Sequence, residues 1–141
     1  MSLIPGIDAS SSALTAERTR LDVIAGNLAN ANNTSDATGG VYHRKMVVFE
    51  SKLNDALGAT GSSAGSQVQV SRIIDDPSPL PKVYMPGHPK ADAQGMVTMP
   101  NVNPLDEMVD MMTASRSYQA NLQVISTGRS MFEQSLKIAE V

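Results

Sequence analysis

The chain has 141 residues, 41% of them hydrophobic but only 4% aromatic, with nine Met, no Trp and no Cys. Its formal net charge is −3, and no basic stripe with interleaved aromatics marks a nucleic-acid surface. Disulfides and thiolate chemistry are excluded, and packing must rest on Ala, Val, Ile, Leu and Met, which suits helix-on-helix contact better than a deep globular centre.

The length fits one domain. The start, M-S-L-I-P-G-I-D-A-S-S-S, has no basic n-region and no useful apolar run, and nothing in the chain approaches the roughly 20 apolar residues of a membrane span. The expectation is a protein that stays in the cytosol or leaves by a route that reads no cleaved signal.

The first predicted element is a helix from about Asp8 to Ala31. Ile7, Leu14, Leu21 and Leu28 recur every seven residues, and Ile24, Ala25 and Ala31 widen that stripe. Its last turns, L-D-V-I-A-G-N-L-A-N-A-N-N, are rich in Asn, a poor interior residue because its amide competes for backbone hydrogen bonds.

Short alternating runs follow. Val41–Phe49, after Gly39-Gly40, and Val68–Ile74 read as strands, with Lys82–Met85 and Met96–Met99 as two shorter ones. Pro77, Pro79 and Pro81 argue for an extended edge rather than sheet-interior pairing. Residues 58–66 read as a flexible Gly/Ser loop.

Asn103-Pro104 is a helix start, a capping amide before proline at the first helical position, and Asp106 and Glu107 suit the dipole of the first turn. Met108, Met111, Ser115, Tyr118, Leu122, Ile125, Arg129, Phe132, Leu136 and Ala139 follow a heptad seam. A helix from Pro104 to Ala139 would be about 50 Å long, which points to a coiled coil or an assembly. It outruns the first helix, leaving seam without an intramolecular partner. The expected fold is mainly α with a small β region: terminal helices in an antiparallel coiled-coil hairpin around a middle that contains β-hairpins. The segments fall at 1–35, 36–102 and 103–141.

Catalytic signals are poor. His43 and His88 are the two histidines, neither at a ligand spacing, so no metal or cofactor is expected. His88, within Pro86-Gly87-His88-Pro89, reads as a turn residue bonded locally. Adjacent Asp75 and Asp76 point to opposite faces of a strand, and turn capping before Pro77 suits them better than acid/base work. Gly61-Ser62-Ser63-Ala64-Gly65 matches G-x-S-x-G formally but lacks the buried strand and the helix that a nucleophile elbow needs. A small hydrolase using Ser63 and His88 is the alternative from another class.

The Asn-rich stretch L-D-V-I-A-G-N-L-A-N-A-N-N-T resembles the N-terminal signature of bacterial flagellar rod, hook and hook-associated axial proteins, and S-R-S-Y-Q-A-N-L-Q-V resembles their C-terminal signature. Y-H-R-K, V-Y-M-P-G-H-P-K-A-D and G-M-V-T-M-P-N-V-N-P-L-D-E-M-V-D-M are similar to the C type of proximal rod protein in that family. A neighbouring rod subunit of the B type is the alternative, against which P-G-H-P argues.

The resemblance implies a non-enzymatic subunit of the proximal rod, the drive shaft of the flagellar basal body, crossing the periplasm. It implies export through the flagellar type III apparatus without a cleaved signal. The implied partners are proximal and distal rod subunits, further copies of the chain, and basal-body ring and export-gate proteins, with no nucleic acid and no small-molecule substrate. The residues expected to pack subunits are Ile7, Leu14, Leu21, Ile24, Leu28, Met108, Met111, Tyr118, Leu122, Ile125, Phe132 and Leu136. Asn27 and Asn30 are expected to offer amides to neighbouring helices or to the end of their own, with Asn121 a candidate partner, fixing register as a buried Asn does in a coiled coil. Asn33 is expected to cap the first helix.

Overall fold

The computed structural model of the chain describes residues 5–35, 39–53 and 66–139. Among them two helices flank four strands: α1 is Pro5–Asn30, β1 Lys45–Leu53, β2 Ser66–Asp75, β3 Lys82–Tyr84, β4 Met96–Thr98 and α2 Pro104–Ala139. The fold class is therefore the one the periodicity predicts, mainly α with a small β region. Most of the Gly/Ser loop, including Ser63 and the G-x-S-x-G match, lies outside the described residues; Ser66 opens β2.

α2 starts where Asn103-Pro104 predicts. Asn103 Oδ1 accepts from the Leu105 N–H at 3.1 Å, and its Nδ2 donates to Asp106 at 2.8 Å. Proline at the first position has no N–H to orphan. α1 is a weaker helix by sequence. Ser10, Ser12, Thr15 and Thr19 fold their hydroxyls back onto carbonyls of their own helix. Such back-bonding adds no helical stability, so α1 depends on what it packs against.

α1 and α2 run antiparallel, and three contacts fix their register. Asn27 donates to Glu107 at 3.1 Å, Arg20 reaches Asp110 at 3.8 Å, and Ile7 lies so close to Gly128 that an added methyl there would meet its side chain at 3.3 Å. The face that α2 turns inward is not the one marked by its largest side chains. Glu107, Ala114, Asn121 and Gly128, a heptad of small or polar residues, are buried or half-buried together with Met111, Tyr118 and Ile125. The expected seam residues Met108, Leu122, Phe132 and Leu136 remain exposed. Close approach explains the offset: Ala114, fully buried, and Gly128 admit the neighbouring helix where Met or Leu would hold it off. On α1, Ala16, Ile24, Asn27 and Ala31 are buried, while Ile7, Leu14, Leu21 and Leu28 are half-buried.

β1 and β2 pair antiparallel, Lys45 opposite Asp75 and Leu53 opposite Ser66. The register steps at Val48/Phe49, which face Arg72 and Val70, so Ser71 is an extra residue and the ribbon bulges there. α1 covers this ribbon, and the Val68 N–H donates to Ser12 Oγ at 3.1 Å. β1 begins four residues later than the alternation suggests. Tyr42 is drawn instead into a small core with Ala31 and Val102, and the Arg44 N–H goes to Asn101 Oδ1 at 2.7 Å.

β3 and β4 form a second ribbon, Lys82 opposite Thr98 and Tyr84 opposite Met96. Its connection is tied locally. The Asp92 carboxylate accepts from the N–H groups of Gln94 and Met96, each at 2.9 Å, and Gly95 takes φ +72°. In the P-G-H-P turn the His88 N–H reaches the Met85 carbonyl at 3.1 Å, and His88 Nδ1 accepts from the Lys90 N–H at 3.2 Å. Pro86, Gly87 and Pro89 are exposed. Lys90 Nζ donates to the Thr34 carbonyl at 3.1 Å, tying this turn to the segment just beyond α1.

Candidate assembly site

Two features of the hairpin stand out: a buried polar junction near the end of α1, and an apolar surface left open along α2. Asn27 is the centre of the junction, 1% exposed. Its Nδ2 donates to the Lys45 carbonyl at 2.9 Å and to Glu107 Oε2 at 3.1 Å. Its Oδ1 accepts from the Tyr42 hydroxyl at 3.0 Å and from the Lys45 N–H at 2.9 Å. Two donors and two lone pairs are thus all engaged, and one amide joins α1, the entry to β1 and α2.

Glu107 is fully buried, and the Arg44 Nε donates to its Oε1 at 2.5 Å. The same guanidinium lies 3.4 Å from Asp110 and 3.9 Å from Asp76. Burial pulls Arg44 toward the neutral form, but the hydrogen bond and charge of Glu107, backed by Asp110 and Asp76, outweigh it and hold its pKa above the ordinary value. Asn101 closes the circuit, its Nδ2 donating to the Asp76 and Ser78 carbonyls at 3.3 and 3.1 Å. Asp76 itself caps the turn before β3. The Ser78 hydroxyl and then the Ser78 N–H lower its pKa, with Arg44 adding to the effect. Chemically this is a lock. Every carboxylate in it is held by a cation or a hydrogen-bond donor, which fixes the angle between the hairpin and the β region.

The expected polar residues fare differently. Asn27 reaches across to α2, whereas Asn30 Nδ2 donates to the Gly26 carbonyl at 2.8 Å and Asn121 Nδ2 to the Ser117 carbonyl at 3.0 Å, each within its own helix. Asn121 therefore partners neither Asn27 nor Asn30 within the subunit. Asn33 Oδ1 accepts from the Ser35 N–H at 3.1 Å and its Nδ2 donates to Asn30 Oδ1 at 3.2 Å, a local turn just after α1.

The open surface has two parts. Leu28, Met108, Met111, Met112, Ser115, Arg116 and Gln119 line a shallow groove beside the end of α1. Beyond Gly128, every described side chain of α2 through Ile138 is exposed, including Met131, Phe132, Leu136 and Ile138. This overhang from 129 to 139 is about 16 Å long at 1.5 Å per residue. Among the described residues, no group of three or more His, Cys, Asp or Glu is placed to hold a metal ion, and no helix is long and apolar enough to cross a membrane.

An apolar helix tip thus stands exposed beside a locked hairpin. Two sequence families match, "Flagella basal body rod protein" over residues 7–38 and "Flagellar basal body rod FlgEFG protein C-terminal" over residues 93–138. The flagellar basal-body rod protein FlgC of Escherichia coli O6:H1 is 45% identical, covering 99% of this chain and 100% of its own. FlgC of Bacillus subtilis is 40% identical and that of Borreliella burgdorferi 38%, each over 99% of this chain and 100% and 99% of their own. The chain belongs to the FlgC family of flagellar basal-body rod proteins. This is a family of structural rod proteins and not of enzymes. The two matched stretches contain most of α1 and nearly all of α2, so the rod-protein signature lies on the hairpin.

Residues of this rod protein that sequence reasoning passed over are Tyr42, Arg44, Glu107 and Asp110. Glu107 reads as a first-turn residue complementing the helix dipole, yet it is the most deeply buried charge described. Its position seven before Ala114 and fourteen before Asn121 was the available signal, since that spacing puts it on the inward face.

Proposed function

We propose that the chain works as a structural subunit of the proximal rod, with its hairpin packed against neighbouring hairpins around a hollow core. That it is a structural rod protein of the flagellar basal body follows from its family. The finer reading rests mainly on one observation: α2 continues past Gly128 as an exposed apolar helix that α1 does not cover among the described residues. A lone subunit gains nothing by exposing Phe132 and Leu136, whereas burying them between subunits is favourable by about 25 cal/mol per Å².

In this reading Ile7, Leu14, Leu21, Ile24 and Leu28 of α1, with Met111, Tyr118 and Ile125 of α2, hold the hairpin. Met108, Leu122, Phe132 and Leu136 face other subunits. The chain divides functionally at 1–35, 36–102 and 103–141, the middle segment lying outside the helical core as an arm. A rod is built from heterologous contacts that do not close on themselves, so the subunit presents different faces to different neighbours. Those neighbours are other proximal and distal rod proteins and further copies of the chain, with ring and export-gate proteins at the base. It crosses the periplasm and reaches its place through the flagellar type III apparatus without a cleaved signal.

An in-frame deletion tests the proposal. Isolated basal bodies should show rings without rod, hook or filament, and the wild-type chain supplied in trans should restore them. Complete rotating flagella in the deletion strain would overturn it.

A further inference from the structure

We propose that Met108, Met111 and Met112 form a binding site for a soft monovalent metal ion, Cu(I), on the open face of α2. Three of the nine methionines of the chain fall together here, in the order Met108-x-x-Met111-Met112. On a helix, residues three and four apart share a face, with Cβ atoms about 5–6 Å from one another. All three side chains line the groove beside Leu28. Each sulfur sits two bonds beyond its Cβ on an unbranched stem that turns freely, so three sulfurs can close on one ion without moving the backbone. Met108 and Met112 are 51% and 55% exposed and Met111 is half-buried, which leaves the sulfurs open to an ion from solvent.

The lining selects the ion. Thioethers are neutral, soft donors, and soft donors favour Cu(I) over cations that want oxygen or imidazole ligands. Among the described residues, no carboxylate and no aromatic ring lines the groove. Glu107 is turned to Asn27 and Arg44, and Asp110 to Arg20 and Arg44. Arg116, four residues beyond Met112, is the charge that does line it. A positive neighbour opposes a divalent ion twice as strongly as a monovalent one, since the Coulomb energy scales with the ion's charge. Calcium, magnesium and zinc are therefore disfavoured by charge and by donor type together. Leu28 of α1 adds an apolar wall that keeps competing donors away. The absence of a His, Cys and carboxylate cluster among the described residues does not bear on a site of this donor class. The site needs only the groove of the free subunit and does not depend on the rod reading.

The absence of cysteine makes the test direct, because no thiolate competes for the ion. The purified full-length chain is titrated with Ag(I), a soft monovalent probe that needs no reductant, in chloride-free buffer, and with Cu(I) under ascorbate. Methyl NMR of the methionines is the readout. The Met108, Met111 and Met112 signals should move together and saturate at one ion per chain, while Met85 and Met131, exposed but isolated in sequence, stay in place. Zn(II) should move none of them. Met108→Leu with Met112→Leu keeps side-chain size and helix propensity and should abolish the saturable response. Met112→Leu alone gives the same loss if the double variant fails to fold. Equal shifts at every exposed methionine would mean an adventitious ion only, and would overturn the site. Saturable binding that survives both variants would overturn it too. A response to Ag(I) without one to Cu(I), or an equal response to Zn(II), would overturn the choice of ion.

Discussion

Asn27 shows how one side chain can decide the shape of a small protein. Its amide makes four hydrogen bonds in a place that water does not reach. Asn27→Ala leaves the Tyr42 hydroxyl, the Lys45 backbone and Glu107 short of partners, and is expected to cost about 3 kcal/mol, read as a lowered urea midpoint. Arg44→Met strands the Glu107 carboxylate and is expected to cost a similar amount, again about 3 kcal/mol, while Arg44→Met with Glu107→Leu recovers much of it. A double-mutant cycle in which the two losses simply add would show that the pair is not coupled. The Asp92 turn carries a pH dependence of known sign. N–H groups of Met96, then of Gln94, hold the Asp92 carboxylate below its ordinary pKa, so its contribution is present above about pH 4 and is lost as pH falls through the lower folded value. A carboxyl NMR titration should place the Asp92 midpoint below that of an unstructured Asp. Gly95→Ala combines φ +72° with a methyl 2.9 Å from the Tyr84 ring, and should destabilise the β3–β4 ribbon.

At the scale of elements, both helices were legible because their cues are local. Asn103-Pro104 states where α2 begins, and the sevenfold repeat of Ile7, Leu14, Leu21 and Leu28 states that α1 exists. The four strands were placed to within a few residues by alternation, and β1 was mis-started because Tyr42 and Arg44 answer to partners 15 and 63 residues away in sequence. The facing of α2 was not legible from hydrophobicity. A pattern that counts large residues finds Met108 and Leu122, while the interface is chosen by the small ones, Ala114 and Gly128, that let backbones meet. Asn27 could be singled out as a buried amide, but its partner Glu107 could not, since an ion pair between the strand entry and α2 needs the fold first. In the isolated subunit, amide exchange along α2 should be slow from about Glu107 to Gly128 and progressively faster beyond it. The exposed Arg129–Glu133 pair adds only about 0.3–0.5 kcal/mol to that last stretch. Uniform protection to the end of α2 in a monomer would contradict the overhang.

For the molecule as a whole, the proposed function assigns stability and assembly to different surfaces. The junction of Asn27, Arg44 and Glu107 holds the β region to the hairpin, and in that proposal the exposed end of α2 is left for neighbours. The central claim is that the end of α2 serves assembly and not folding, and truncation after Gly128 tests it most directly. The shortened chain should keep the thermal midpoint of the full one within a few degrees, yet fail to restore rods or swimming to a deletion strain. Full rods and normal swimming from the truncated chain would contradict the account.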